Sequence, residues 1–142
     1  MNARDFLNTT VEFTLGSVTL KLSRLGTLKK MAITQADIIE RAIEEITKKA
    51  DALPADQRAA YMLTELDKAP SGKALFDRTN ELLDKADLRI ICKLVAAMTP
   101  ESDRLTADEV EAVFAEATAT ECEAVMWFLR TGKKNCNSRT PV

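Results

Sequence analysis

The 142 residues suit one domain, long enough to bury roughly two-thirds of the surface its unfolded chain exposes. With 20 basic and 22 acidic side chains the formal charge is only -2, and no basic block stands out, which argues against a dedicated nucleic-acid binder. No stretch approaches the roughly 18 uninterrupted apolar residues of a membrane span, and MNARDFLNTT lacks the apolar core of a signal peptide, so a cytosolic protein is expected.

The first predicted element is a β-hairpin in VEFTLGSVTLKLS, residues 11–23. With Gly16-Ser17 as a two-residue loop, Leu15 faces Val18, Phe13 faces Leu20 and Val11 faces Leu22, which puts every apolar residue on one face. Thr14 then pairs with Thr19 and Glu12 with Lys21 on the other. Gly at the first loop position suits a type II′ turn, and the opposed charges reinforce the register. A slip of one residue would turn the apolar set to water. An isolated hairpin is marginal in water, so its apolar face needs cover from helices of this chain or from another chain. Its outer edges offer unpaired backbone groups, a route to strand addition unless charge or twist protects them.

Helices follow, divided by clear punctuation. Thr27 can cap a short segment carrying Leu28, Met31 and Ile33. Thr34, with Asp37 three residues on, reads as the N-cap of a new helix ending before Pro54, with a stripe of Ile38, Ile39, Ala42, Ile43, Ile46 and Leu53. Pro54 fits the first position of the next helix, whose face is Ala59, Met62, Leu63 and Leu66, until Pro70-Ser71-Gly72 breaks it. A long helix is predicted over about 73–98 through Phe76, Leu82, Leu83, Ala86, Ile90, Leu94 and Met98, with a possible bend at Asp87-Leu88. Thr99-Pro100 ends it. Thr106 and Glu109 form a capping-box pattern ahead of Val110, Val113 and Phe114, and Thr120 with Glu123 does the same ahead of Ala124, Val125, Phe128 and Leu129. Gly132 stops this last helix, with Arg130 and Lys133 suited to its C-terminal dipole. The expected fold is α+β: a mostly helical single domain over 1–132 with an N-terminal β-hairpin, then a polar tail over 133–142.

The residue types exclude much chemistry. Without histidine there is no Cys-His pair, no Ser-His-Asp triad and no histidine-bearing zinc site. Cys92, Cys122 and Cys136 are odd in number and widely spaced, so they read as two packing residues and a tail thiol rather than a disulfide framework. The carboxylates around Asp37, Glu40, Glu44 and Glu45, and those from Glu101 to Glu116, read as solvated faces, with no EF-hand pattern among them. Ser71-Gly72-Lys73 lacks the second glycine and the ending of a phosphate loop. No catalytic, cofactor-binding or metal-binding residue is expected. Met126-Trp127-Phe128-Leu129 places four large apolar residues in a row, which one helix face cannot hold. Core packing is the default for Trp127, and a protein-binding patch at Met126, Trp127 and Phe128 is the alternative.

A leading hairpin ending in VTLKLSRLGTLKKM, a helical body, and a closing polar tail that opens with Gly-Lys together resemble the shorter tail assembly chaperone of lambda-like long-tailed phages. The likeness is best over residues 11–31 and 132–142; between them it is architectural. The resemblance implies a non-enzymatic protein that coats and solubilises the tape measure protein in the host cytoplasm and is absent from the mature virion. It also implies a longer product, made by programmed ribosomal slippage, whose added domain recruits tail tube subunits. Gly132-Lys133-Lys134 can be encoded by the adenine-rich run on which ribosomes slip. A protein of this kind is expected to form homo-oligomers. A small structural or adaptor protein retained in the phage particle shares the same features, and an enzyme using only carboxylates and lysines ranks well behind both.

Overall fold

The computed structural model describes residues 10–134. It is a mostly helical α+β fold with an N-terminal hairpin and six helices. Strands β1 (Thr10–Leu15) and β2 (Val18–Ser23) pair antiparallel in the register expected: Val11 with Leu22, Glu12 with Lys21, Phe13 with Leu20, Thr14 with Thr19 and Leu15 with Val18. Gly16 has φ +64 while among the described residues no non-glycine, Ser17 included, adopts a positive φ, so the turn is type II′ and not type I′. Phe13, Leu15, Leu20 and Leu22 are buried, whereas Glu12, Thr14, Thr19 and Lys21 face solvent.

The helices are α1 (Thr27–Asp51), α2 (Ala55–Asp67), α3 (Gly72–Asp84), α4 (Leu88–Met98), α5 (Ala107–Ala115) and α6 (Ala119–Thr131), with a 3₁₀ turn at Glu101–Asp103. Several boundaries correct the sequence expectation. Thr34 does not open a helix: α1 runs unbroken through it, Thr34 and Asp37 are buried, and the Asp37 carboxylate pairs with Arg41 Nε at 2.7 Å, one turn on. Pro54 is the N-cap of α2 rather than its first residue. The long helix over 73–98 is two helices, because Asp87 takes an extended conformation and its side chain accepts from the Ile90 N–H, which starts α4 afresh. Helix α6 is capped by Thr118 with Glu121, not by Thr120 with Glu123; Thr118 Oγ1 accepts from the Glu121 N–H and Glu121 accepts from the Thr118 N–H. The box at Thr106 and Glu109 and the stop at Gly132, with φ +73, are as expected.

The residues gather into two compact units, one of 10–29 with 86–134 and the other of 30–85. In the first, α4 is the centre: Ile90, Cys92, Leu94, Val95, Ala96 and Met98 are all buried. It packs against α5, α6 and β2, while β1 rests on α6, where the Phe13 and Phe128 rings lie 5.2 Å apart at a 48° tilt. Two long-range bonds tie hairpin to helices. The Gly16 N–H donates to Glu121 Oε1 at 3.0 Å, and Arg24 Nε donates to the Gly132 carbonyl at 2.8 Å. In the second unit α1 continues with α2 and α3, and Arg58 Nε closes the corner between α1 and α2 on the Leu53 carbonyl at 3.0 Å.

Candidate partner-binding surfaces

Helix α1 carries more apolar residues than one face can bury. Ile38 and Ile46 go inside together with Ala50. Ile39 and Ile43, expected in the same stripe, are each 44% exposed. With the exposed Ala32 and Ala36 they recur at steps of four, three and four residues. Such spacing draws one narrow line along a helix, the width that a single facing helix covers.

The same pattern recurs on α2. Ala59, Leu63 and Leu66 stand four and three residues apart; Leu63 is 69% exposed and Leu66 41%. Helix α2 has no fully buried residue: of the apolar face read from its periodicity, Met62 is half-buried while Ala59, Leu63 and Leu66 are exposed. Phe76 on α3, also expected inside, is half exposed.

The first unit has an apolar groove of its own. It encloses about 310 Å³ between α4, α5 and α6, with walls of Leu88, Ile91, Phe114 and Met126 and a single carboxylate, Glu111. Of the three residues proposed from sequence as a contact patch, Met126 stands on the groove's rim, Trp127 is half-buried and Phe128 is a core residue. Phe128 therefore belongs to the packing under the hairpin and is withdrawn from the patch. Gly132 ends α6, the Lys133 N–H bonds Thr131 Oγ1 at 3.1 Å, and Lys134 is exposed. Cys136 lies outside the described residues, as does the predicted tail beyond 134.

Cys122 lines the apolar groove and Cys92 is buried in α4. Burial pushes the Cys92 thiol up to about 11, with Glu111 and Asp108 adding to the shift, and burial also raises Cys122, so both stay protonated at neutral pH. Among the described residues no cluster of three carboxylates or thiols is placed to hold a metal ion. None of their helices is long and apolar enough to cross a membrane. Glu109 and Glu121 of the acidic second half serve as capping-box residues. No known protein-family model matches the chain, and no curated protein or solved structure resembles it significantly.

Proposed function

We propose that this chain is a non-enzymatic assembly chaperone of a long-tailed phage that binds the tape measure protein in the host cytoplasm, keeps it soluble, and leaves before the virion is complete. The observation that carries this reading is the pair of uncovered apolar lines, Ala32, Ala36, Ile39 and Ile43 on α1 and Ala59, Leu63 and Leu66 on α2. Each has the spacing with which one amphipathic helix receives another. A tape measure protein is a long helical chain whose apolar stripes lie open until the tube encloses it. Many copies of a weak helix-binding surface, in a homo-oligomer or along one long client, would cover such a chain by multivalency. In this reading a longer, slippage-derived product recruits tail tube subunits, and Gly132-Lys133-Lys134 is where the gene would slip.

The test is co-expression with the tape measure protein, followed by sedimentation and pull-down. The wild-type chain is expected to bring that protein into the soluble fraction and co-purify with it, and the double variant Ile43→Lys, Leu63→Lys is expected to fold normally but fail to do so. A folded wild-type chain that leaves the tape measure protein insoluble and unbound would overturn the proposal. Recovery of the chain in finished particles would assign it instead to a structural or adaptor role.

A further inference from the structure

The helical layer under the hairpin is wider than the hairpin. Strand β1 rests on α6 and β2 on α4, and α4 packs against both α5 and α6. Neither strand of the described residues packs extensively on α5. The space a third strand would take is an open cavity of about 670 Å³, with Val18 to Lys21 of β2 along one side and Leu105, Ala112 and Val113 among the residues lining it.

The edge that borders this space is set up for pairing. A two-residue turn makes Leu15 and Val18 a hydrogen-bonded pair, so Phe13 with Leu20 is hydrogen-bonded too, while Thr14 with Thr19 and Glu12 with Lys21 are the pairs whose backbone groups point away from each other. The N–H and C=O groups of Thr19 and Lys21 therefore aim outward, beside the cavity. Among the described residues β2 has no second neighbouring strand. Four residues of edge at strand spacing give a track of about 13 Å.

We infer that this cavity is a strand-addition site, which takes an extended segment of another polypeptide as a third strand on β2 with its alternate apolar side chains over α5. The site selects its occupant by shape. A second copy entering by the same edge would carry its own α4 beneath its own β2, into space that α5 already fills, so only a bare extended segment fits. Charge selects further: Asp103 and Glu109 line the cavity as well as Lys21, which favours a basic residue on the α5 side of the segment and disfavours one beside Lys21. This site lies wholly in the first unit and does not depend on the apolar lines of α1 and α2.

The probe is an acetylated, amidated nonapeptide in which three valines alternate with four threonines between terminal lysines that share the valine face, titrated into the full chain while backbone amide exchange is followed by NMR. The amides of Thr19 and Lys21 are expected to exchange at least about tenfold more slowly when the peptide is bound, with shift changes at Ala112 and Val113. The same peptide N-methylated on alternate amides should give no protection. Ala112→Glu, an exposed change that leaves the hairpin core intact, should weaken binding while the fold and the chaperone assay are unaltered. The inference is overturned if millimolar peptide leaves Thr19 and Lys21 unprotected or if N-methylation makes no difference. It is equally overturned if those amides are already protected in the free chain, whether independently of concentration, by its own terminus, or in proportion to concentration, by a second copy.

Discussion

Replacing Gly16 by alanine tests how the hairpin is seated, because two separate costs fall on one methyl group. At φ +64 an L side chain is strained, which costs about 1–3 kcal/mol. The added Cβ would also lie 2.7 Å from the carbonyl oxygen of Glu116, a backbone atom at the end of α5 that cannot rotate away. Shifting packed backbone to relieve such a contact costs a further 1–3 kcal/mol or so. It also pulls at the bond from the Gly16 N–H to Glu121. Together they amount to about 2–6 kcal/mol, and at a urea slope of about 2 kcal/mol per molar the unfolding midpoint falls by about 1–3 M. Trp127, the single tryptophan, reports on this unit. Gly132→Ala provides the comparison: its φ is +73, but the nearest neighbour is the movable Arg24 side chain at 3.1 Å, so strain alone should lower the midpoint by roughly 0.5–1 M. Gly26 has no neighbour within 4 Å and no positive φ, and Gly26→Ala should leave the midpoint unchanged or raise it slightly. If Gly16→Ala costs no more than Gly132→Ala, the hairpin turn is not held against the end of α5 and the account of its seating is wrong.

Three further outcomes are expected. Glu121 is held below the ordinary 4.5 chiefly by the backbone N–H of Thr118 and then by that of Gly16; a depressed folded value means its contribution is complete above 4.5 and is lost as pH falls through the lower folded value. The melting-temperature gap between wild type and Glu121→Gln should therefore close in that acid range, and a gap that persists unchanged well below it would contradict the assignment. Thr118→Ala should cost about 0.5–2 kcal/mol in urea unfolding while Thr120→Ala stays near zero; equal costs would mean that α6 begins elsewhere. Native-state hydrogen exchange should show the amides of α2 and α3 opening well before those of α4, since α2 buries nothing and α3 only Thr79, and uniform protection would refute that ordering.

The hairpin's register was legible to the residue, though its first strand begins one residue earlier at Thr10, because three independent signals agree: a period of two, a glycine at the loop position that needs positive φ, and opposed charges in one register. Helix α5 was legible for the same reason, its capping box standing just after a proline break. Where signals were duplicated, the wrong one was chosen. The run Thr118-Ala119-Thr120-Glu121-Cys122-Glu123 contains two overlapping capping boxes, and only the bonds to Glu121 decide between them. Thr34 and Asp37 imitate a cap inside α1, but Asp37 is answered one turn later by Arg41. The break between α3 and α4 was blurred because Leu82, Leu83, Ala86 and Ile90 keep helical spacing across it. Of the residues placed in the predicted apolar stripes, Ile39, Ile43, Leu63 and Leu66 are exposed, because periodicity shows that a helix has an apolar face without showing whether its own chain covers it. Adjacent residues do not decide it either, since Asp37 and Ile38 are both buried on α1 whereas Ile39 is exposed.

The two units differ in what holds them. In the first, α4 alone buries six side chains. Residues 30–85 bury six in all, and Thr34, Asp37 and Thr79 are polar, which leaves Ile38, Ile46 and Ala50 as wholly buried apolar groups. Full burial of a large apolar side chain stabilises by about 1.5–3 kcal/mol, whereas fixing the backbone of one residue costs about 1–2 kcal/mol. Surface pairs such as Lys73 with Asp77 at 2.7 Å and Lys49 with Glu45 at 3.2 Å lie in water and add little. A partner helix laid on Ile39, Ile43 or Leu63 would therefore supply the burial that this unit lacks. Under the proposed function binding and ordering are linked: a partner helix that shields this surface would stabilise the unit in return, at an affinity lowered by the ordering that binding completes, and many copies would offset the weakness of each contact.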